Sequence, residues 1–498
     1  MPPSDEETGR ELVRLRAGLV GGPALFVALL AVPPPADLAT AGWRTAAVGV
    51  LMAVWWMSEA VPIAVTALLP IVLFPLLGVV PVGDATAPYA NPLIFLFLGG
   101  FLIALGIERW NLHRRIALSV VRAVGTRPRR IVGGFMLASA FLSMWISNTA
   151  TAMMMLPIGA SVIETVLPAE VSAERASRRG QPFAVALVLA IAYGASIGGM
   201  GTIIGSPPNA LLVGFLDETQ GLEVTFAGWM AAALPLAAVG LAASYLLLVR
   251  VIFRVPDTEP ERTDGSRGGG AYIRDELQAL GPMSPQEQAV AAVFGLTAAL
   301  WILRPALDGV VPGLSDTGIA LGGAFLLFVL PARWRRGEFL LSWSDARNVP
   351  WGVLLLFGGG LSLASAVSET GLAGWIGTRL EGLGALPPIL LLAAVVATVI
   401  LLTELTSNTA TTAAFLPVVA SVAGALGRDP LLLLVPTTLA ASCAFMMPVA
   451  TPPNAIVYGS GRVTIPQMVR AGVWLNALFV ALLTLAAYTV VPWVLGVG

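Results

Sequence analysis

The chain has few of the side chains on which enzymes and disulfide-stabilised proteins rely. Among its 498 residues there is one cysteine, Cys443, and one histidine, His113, and all 28 basic residues are arginine. A single cysteine excludes an internal disulfide and a multi-cysteine metal site. A single histidine argues against a histidine-based metal site or proton relay. Because no nucleophile–base pair or metal cluster is visible either, we predict that the chain is not an enzyme.

Charge is also scarce, and long apolar runs take its place. Charged residues make up 11% of the chain and hydrophobic residues 57%, whereas soluble domains carry about 25% charged residues. This composition predicts an all-α polytopic membrane protein. Apolar runs of roughly 17–25 residues are long enough to cross a bilayer. They predict eleven transmembrane helices, near 17–33, 45–58, 61–80, 91–107, 183–214, 228–253, 286–303, 314–331, 350–367, 431–459 and 468–495.

Two further apolar stretches, 131–165 and 388–424, have a polar centre. Each contains Ser-Asn-Thr, at 147–149 in the first and at 407–409 in the second. Of the sixteen positions that begin at Ser147, ten are identical in the copy 260 residues later. Each stretch is long enough to enter the membrane, turn and return, but its centre is too polar to cross cleanly. We therefore predict two re-entrant hairpins with the tripeptide at the tip, where non-helical backbone must be buried in protein or line a cavity.

The arginine distribution predicts the orientation of the helices. If the N-terminus lies in the cytoplasm and both hairpins return to the side from which they enter, 24 of the 28 arginines fall inside. The other four are Arg44, Arg304, Arg379 and Arg428. This imbalance is the positive-inside pattern, and eleven spans then place the C-terminus outside. Five spans separate the hairpins, so they enter from opposite sides and the halves form an inverted repeat.

Each polar tip is predicted to be an anion site. Serine, asparagine and threonine are good N-caps, and a helical run follows each tripeptide, from Ala150 and from Ala410. The tip then presents free backbone N–H groups and the partial positive charge of a helix N-terminus, which attract an anion without a basic side chain. The alternative for either tip is a plain cap on a buried turn. Two copies in inverted halves favour the site.

Two of the predicted spans are interrupted at matched positions. Pro-Pro-Asn occurs at 207–209 and again, 245 residues later, at 452–454. Paired prolines remove hydrogen-bond donors and break helices, so carbonyl groups upstream lose their partners. Free carbonyl and hydroxyl oxygens suit a hard cation such as Na⁺, and the alternative is a plain proline kink. No arginine lies in the core of a predicted span or hairpin, so anion binding would depend on a bound cation.

Glu404 is the one acidic residue near a tip, three residues before Ser407. Its counterpart in the first half is Met144, so it does not belong to the repeated set of residues. We therefore expect its carboxylate to accept hydrogen bonds from neighbouring backbone. Direct coupling of Glu404 to a transported cation is the alternative.

Three segments are predicted to lie outside the spans. Arginine alternates with apolar residues at helical spacing over 109–125, which is typical of a helix in the headgroup plane, and 369–383 is its counterpart. We expect His113, in the first of these segments, to lie at the surface near a headgroup. The stretch 256–281 contains three successive glycines and mixed charges, which predicts a cytoplasmic linker between the halves.

The paired motifs resemble those of the divalent anion–sodium symporters. The resemblance also includes Glu-Ala-Val-Pro at 59–62 and Thr-Ala-Leu-Leu-Pro at 66–70, and it covers nearly the whole chain beyond about residue 45. It implies a homodimeric elevator in a bacterial inner (plasma) membrane, whose transport domain moves against a scaffold. The implied parts are scaffold helices with the interfacial helix (1–125), a first transport half with the cytoplasmic-side hairpin (126–255), a linker with more scaffold (256–385), and a second transport half with the outer-side hairpin (386–498).

The resemblance also implies which residues bind the ions and the substrate. The first sodium site would use Ser143, Ser147, Asn148 and the backbone of Gly199. The second would use Thr403, Thr406, Asn408, Ala450 and Pro452. The substrate would contact Ser147, Asn148, Thr149, Ser407, Asn408, Thr409 and Thr451. One departure from the family pattern is Met200, where relatives often have serine or threonine beside the substrate.

The favoured hypothesis is secondary active transport that couples the entry of two or more Na⁺ ions to uptake of a C4-dicarboxylate such as succinate, malate or fumarate. Sulfate or tricarboxylate symport and sodium-independent dicarboxylate exchange remain open within the same class. The absence of lysine and histidine at either tip favours symport, because no fixed cation replaces Na⁺ there. A different class, the anion channel, would need a continuous pore, and two hairpins that meet at the midplane argue against it.

Overall fold

The computed structural model describes residues 5–125, 127–166, 182–257, 269–380 and 387–495, and these residues are nearly all helical. The helices of the first half are α1 Asp5–Ala31, α2 Thr40–Ser58, α3 Ile63–Thr66, α4 Leu69–Leu76, α5 Val82–Thr86, α6 Pro92–Arg109, α7 Leu112–Val124, α8 Pro128–Ser143, α9 Asn148–Val166, α10 Pro182–Gly199, α11 Pro207–Gln220 and α12 Phe226–Leu246, which continues as a π-helix over Leu247–Ile252. Those that follow are α13 Gly269–Ala279, α14 Pro285–Leu307, α15 Asp316–Val329, α16 Trp351–Glu369, α17 Leu372–Leu380, α18 Pro388–Thr403, α19 Asn408–Ala425, α20 Pro430–Ala441, α21 Pro452–Gly459, α22 Ile465–Ala487 and α23 Val490–Leu495.

Each of the two apolar stretches with a polar centre folds as two helices joined by a four-residue turn. Residues 144–147 join α8 to α9, and residues 404–407 join α18 to α19. In both cases the second helix begins at the asparagine of the tripeptide, Asn148 or Asn408. The repeated sequence therefore forms the same local structure twice, with the polar residues at a helix N-terminus as predicted.

The two spans with matched prolines are broken where the sequence indicates. Helix α10 ends before a non-helical segment, 200–206, and α11 begins at the first proline of the pair. Helix α20 ends before a longer segment, 442–451, which contains a 3₁₀ turn at Pro448–Ala450, and α21 begins at the matching proline. Proline suits the first turn of a helix because the N–H that it lacks has no partner there. The predicted span 61–80 is also broken, into α3 and α4, which hydropathy alone does not indicate.

The chain is a multi-pass membrane protein. Among the described residues, nine helices are long and apolar enough to cross a membrane. Four more apolar helical stretches are shorter than 18 residues: Ile63–Leu76, Asp316–Val329, Pro388–Thr403 and Pro430–Ala441. The described ranges also contain a small antiparallel pair of strands, β1 Pro331–Arg333 and β2 Glu338–Phe339.

Helix α7 is amphipathic, as its arginine pattern predicts, but His113 is not at the surface. His113 is 8% exposed, and its Nδ1 lies 3.2 Å from the carbonyl oxygen of Ile107. The reason is register: His113, Ala117 and Val121 recur every four residues, and all three are buried on one face of the helix. The expected surface position is therefore wrong. The counterpart of α7 is α17, and residues 381–383 of that predicted segment lie outside the described ranges.

The predicted linker at 256–281 contains a helix that the glycine-rich sequence does not suggest. Helix α13 packs against α7 and against α9 of the first hairpin. Its Ile273 is 1% exposed, and its Glu276 forms an ion pair with Arg114 of α7. The part of the linker at 258–268 lies outside the described residues. The remainder is thus a packed element of the fold.

Close helix packing brings the first break against the first hairpin. Every residue of α10 from Phe183 to Gly199 is buried. A side chain at Gly194 would lie 2.6 Å from the carbonyl oxygen of Met136 in α8, and one at Gly198 would collide with the backbone of Ala140. Small residues allow this approach in membrane proteins. The end of α10 is therefore held directly beside the tip of the hairpin.

Candidate functional site

One side of the Asn148 amide, at the first tip, faces three oxygen atoms. With Oδ1 on that side, it accepts a hydrogen bond from the Ser143 hydroxyl and lies 3.2 Å from the carbonyl oxygen of Ala195 and 3.3 Å from that of Gly205. With the amide turned over, its nitrogen donates to all three oxygens. In either orientation the oxygens of Ser143, Ala195 and Gly205 surround one atom of the amide. Hydroxyl and carbonyl oxygens are ligands that a hard cation takes.

The backbone of the first break passes so close to this cluster that only glycine fits. A Cβ on Gly199 would lie 2.6 Å from Asn148 Oδ1 and 2.8 Å from the carbonyl oxygen of Gly205. A Cβ on Gly205 would lie 2.6 Å from the carbonyl oxygen of Gly199 and 3.0 Å from that of Ser143. Glycine permits such close approach of backbone to a ligand. The two glycines therefore form a cradle around the Asn148 amide.

The asparagines of the two Pro-Pro-Asn segments hold the breaks in the same way. The Asn209 Nδ2 donates to the carbonyl oxygens of Gly199 at 3.0 Å and Thr202 at 2.8 Å, ten and seven residues before it. The Asn454 Nδ2 also donates to the carbonyl oxygens ten and seven residues before it, both at 3.0 Å. Both asparagines are fully buried. The two asparagine amides thus donate hydrogen bonds to some of the carbonyl groups that have no helical partner where the helices are broken.

The predicted sodium ligands at the second tip are partly brought together. Thr403 Oγ1 lies 2.6 Å from Asn408 Oδ1 and donates to the carbonyl oxygen of Ala441 at 2.9 Å. This pair repeats the relation of serine to asparagine at the first tip. The hydroxyl of Thr406 lies 2.6 Å from that of Thr411 in α19, so its hydrogen bond is made within the hairpin. The arrangement joins the second tip to the end of α20.

The two breaks meet between the hairpins. The hydroxyls of Ser206 and Ser442 lie 3.3 Å apart, and the Tyr193 hydroxyl of α10 donates to the carbonyl oxygen of Phe445 at 2.7 Å. Thr451 caps α21 by accepting the Asn454 N–H at 3.3 Å. The predicted ligands Ala450 and Thr451 are buried, whereas Pro452 is exposed. The polar segments of both halves therefore share one region of the molecule.

The hydroxyl groups of the tips differ in what they bind. The Ser147 Oγ accepts the N–H of Ala150 at 3.2 Å, which is a capping contact. The side chains of Thr149, Ser407 and Thr409 are half-buried, and their hydroxyls make no hydrogen bond to the described residues. These three hydroxyls, with the first N–H groups of α9 and α19, are available to a ligand.

Sequence reasoning missed two backbone groups of the first cluster. The carbonyls of Ala195 and Gly205 lie nearest the Asn148 amide, whereas that of Gly199 accepts from Asn209. Gly205 is the counterpart of Ala450 at the 245-residue offset, so the repeat contained the signal. Met200, the departure from the family pattern, is 2% exposed.

Glu404 is bound by backbone, but by a distant segment. Its carboxylate accepts the N–H groups of Phe445, Met446 and Met447 at 2.8–3.0 Å and the amide of Asn476 at 2.8 Å. The expectation of hydrogen bonds to backbone is therefore confirmed. The partners belong to the second break and to α22 rather than to the turn that contains Glu404.

A multi-pass helical fold with paired polar tips and broken helices at its centre is typical of a membrane transporter. The family model of the sodium:sulfate symporter transmembrane region matches residues 16–497. The chain therefore belongs to the sodium:sulfate symporter family, so it is a transporter and not an enzyme. The divalent anion–sodium resemblance read from its motifs is confirmed.

Individual relatives agree with this assignment. The chain is 42% identical over 484 residues to the sodium-dependent dicarboxylate transporter SdcS of Staphylococcus aureus strain USA300, and the match covers 96% of this chain and 92% of that protein. Two solved structures share the fold at 14% identity. They are the YdaH transporter of Alcanivorax borkumensis, with a TM-score of 0.56 over 82% of this chain and 86% of that one, and MtrF of Neisseria gonorrhoeae, with 0.57 over 98% and 95%.

Proposed function

We propose that this protein couples the entry of Na⁺ to the uptake of a C4-dicarboxylate. The observation that carries the proposal is the cluster of oxygen atoms from Ser143, Ala195 and Gly205 around the Asn148 amide, beside a helix N-terminus and without a basic side chain among the predicted site residues. An oxygen cluster favours a cation, and a helix N-terminus favours an anion. The 42% identity to a relative named as a sodium-dependent dicarboxylate transporter supports both halves of the proposal.

The charge balance explains why the anion would need the cation. A helix N-terminus acts as about half a positive charge, so the two tips together supply about one. A dicarboxylate carries two negative charges, which leaves about one unbalanced in a region of low dielectric. At least one bound Na⁺ is therefore needed before a dianion is stable there. One Na⁺ ion would bring the sum to about zero, and two Na⁺ ions, one per half, would leave about one positive charge.

The residue roles in this proposal are those that the family resemblance implies. Ser143, Ser147, Asn148 and Gly199, with the carbonyls of Ala195 and Gly205, would hold the first Na⁺. Thr403, Thr406, Asn408, Ala450 and Pro452 would hold the second. The substrate carboxylates would bind Ser147, Asn148, Thr149, Ser407, Asn408, Thr409 and Thr451. The free hydroxyls of Thr149, Ser407 and Thr409 support this assignment.

The same reasoning extends to the transport cycle. Helices α8 and α18 each end at a four-residue turn, and a second helix begins at the asparagine that follows, which suits a stretch that enters the membrane and returns. We therefore infer eleven spans and two re-entrant hairpins, with the N-terminus in the cytoplasm and the C-terminus outside. Residues 126–255 and 386–498 would form the moving transport domain, and residues 1–125 and 256–385 the scaffold of a homodimeric elevator.

Uptake into proteoliposomes tests the proposal. Labelled succinate, malate, fumarate, citrate and sulfate would each be offered with an inward Na⁺ gradient or with choline in its place. We expect saturable uptake of the C4-dicarboxylates that is abolished in choline. An Asn148→Ala/Asn408→Ala double variant at the same protein density is the matched control.

Each alternative predicts a different result in the same assay. Full dicarboxylate uptake in choline would contradict sodium coupling and indicate an exchanger. Uptake confined to sulfate or citrate would contradict the substrate assignment. A non-saturating ohmic current would indicate a channel, whereas a transporter turns over slower than about 10³ per second.

A further inference from the structure

The first tip is anchored by an aromatic cluster. Trp145, two residues before Ser147, packs against Phe226 of α12 and against Phe294 and Trp301 of α14. The ring centroids of Trp145 and Phe294 are 5.0 Å apart in an edge-to-face contact. Trp145 lies nearly parallel to Phe226, at 6.2 Å and 22°, and to Trp301, at 6.4 Å and 11°. Such aromatic pairs stabilise beyond the area that they bury.

The partners of Trp145 are themselves held in place. Phe226 and Trp301 stack at 4.3 Å and 12°. Asp316, at the start of α15, accepts the backbone N–H of Phe226 at 2.7 Å and, through its carbonyl oxygen, the Trp301 Nε1 at 3.0 Å. Arg304 lies 3.1 Å from the same carboxylate. Trp145 therefore packs against a surface that is fixed by hydrogen bonds and an ion pair.

The second tip has no such anchor. The counterpart of Trp145 at the 260-residue offset is Leu405. Leu405 is 62% exposed, and no aromatic ring contact holds its turn in the described part of the chain. The indole Nε1 of Trp145 is buried and has no hydrogen-bond partner among the described residues. The first tip is thus held by ring packing at the position where the second tip exposes a leucine.

We propose that Trp145 is a positioning residue for the first cation site. This inference rests on the proposed function for the role of the first tip. In this conformation Trp145 fixes the turn partly against Phe294 and Trp301 of α14, which belongs to the proposed scaffold, and so holds Ser143 and Asn148 against the Gly199–Gly205 cradle before an ion arrives. Preorganisation of this kind raises affinity because less ordering remains to be done on binding. Loss of the ring should therefore weaken Na⁺ binding, and anion binding with it, while turnover at saturating Na⁺ is preserved.

The residue at the matching position of the second tip, Leu405, indicates which substitution of Trp145 to test. Trp145→Leu gives the first tip the residue that the second tip already accommodates, and Trp145→Phe keeps a ring. Leu405→Ala, at the same register but exposed, is the matched control. Two readouts are measured: the Na⁺ dependence of dicarboxylate uptake in proteoliposomes, and the Na⁺-dependent rise in melting temperature of the purified protein.

We expect Trp145→Leu to raise the half-saturating Na⁺ concentration in both readouts about tenfold, which corresponds to about 1.4 kcal/mol. The maximal rate should stay within about twofold of wild type, and Trp145→Phe should shift the Na⁺ dependence by less than about threefold. Leu405→Ala should change neither the half-saturating Na⁺ concentration nor the maximal rate. If Trp145→Leu does not fold, Phe294→Leu removes the edge contact from outside the tip and should raise the Na⁺ requirement in the same direction.

Wild-type Na⁺ dependence in Trp145→Leu, or in Phe294→Leu where that variant replaces it, would overturn the inference. So would a lower maximal rate alone, an equal shift in Leu405→Ala, or a wild-type protein that Na⁺ does not stabilise. Stabilisation by Na⁺ that shifts as expected, without dicarboxylate uptake by the wild type, would overturn the proposed function and leave the role of Trp145 intact.

Discussion

Replacement of Glu404 by glutamine should destabilise the second break, although the change is nearly isosteric. The carboxylate accepts hydrogen bonds from three consecutive backbone N–H groups, from Phe445 to Met447, and from the Asn476 amide. Its Oε2 is the sole acceptor of the Met447 N–H and shares that of Met446 with Oε1. Glutamine keeps one oxygen and places an NH₂ donor at the other position.

The loss of stability can be estimated for the orientation of the glutamine amide that keeps the most hydrogen bonds. If the glutamine oxygen takes the place of Oε1, three bonds remain and the new NH₂ group faces the Met447 N–H. A hydrogen bond to a charged group contributes about 1.5–3 kcal/mol, and a buried donor without a partner costs about 1–3 kcal/mol. We therefore expect Glu404→Gln to lower the free energy of unfolding by about 2–3 kcal/mol and to reduce uptake.

Thermal denaturation of the purified protein, with uptake measured in parallel, tests this prediction. Asn476→Ala is the matched control, because it removes one donor and leaves the three backbone N–H groups bound to Glu404; we expect about half the loss of stability. A Glu404→Gln variant that melts and transports like wild type would refute the reasoning. Normal stability with an altered Na⁺ requirement would instead support direct coupling of the carboxylate to a cation.

The remaining predictions concern the two tips. Gly199→Ala should abolish the first cation site, since its Cβ would lie 2.6 Å from Asn148 Oδ1, whereas Gly424→Ala, with nothing within 4 Å, should transport normally; equal activity of both would exclude the cradle. Asn148→Ala and Asn408→Ala should each lower affinity in the uptake assay by roughly 10- to 100-fold, from about 1.5–3 kcal/mol; wild-type activity with normal expression would make that tip a plain cap. Single cysteines beside Asn148 and Asn408, in a Cys443→Ser background, should be labelled by an impermeant reagent from opposite faces, at rates that substrate and Na⁺ change; labelling of both from one face under every condition would contradict the inverted topology.

The hairpins and the two breaks could be predicted because the residue types that form them act locally. Serine, asparagine and threonine cap a helix, and paired prolines begin one, whatever the surroundings. Each of these two motifs occurs twice, at a fixed offset, so the second copy supports the structure predicted from the first. The positions of the breaks at 200–206 and 442–451 follow directly from this local chemistry.

The elements that could not be predicted are those that tertiary packing decides. The break between α3 and α4 lies in a continuous apolar run, so hydropathy gives no sign of it. The burial of His113 depends on which residues cover that face of α7. The helical structure of α13 depends on its contacts with α7 and α9. An arginine-rich helix and a glycine-rich linker are ambiguous until their partners are known.

For the candidate site, the repeat predicts the polar tips and the two Pro-Pro-Asn breaks but not the residues that support them. Asn209 and Asn454 reach carbonyls at the same two spacings in both halves, so one half could be constructed from the other. The partners of Glu404 lie 41 to 72 residues away along the chain, and no sequence spacing links them. A side chain with no counterpart in the other half can be recognised as different, but its function requires the fold.

The two halves use different physical means to hold equivalent parts. In the first, the ring packing of Trp145 fixes the tip, and the Thr202 hydroxyl donates to the carbonyl oxygen of Met144. In the second, the tip residue Leu405 is exposed, and the charge of Glu404 fixes the break. Packing and a buried charge respond differently to substitution, because a charge without its partners is far more costly than a lost ring contact. We therefore expect the two halves of the proposed inverted repeat to move unequally, and the tip without a ring anchor is the one that local opening should reach first.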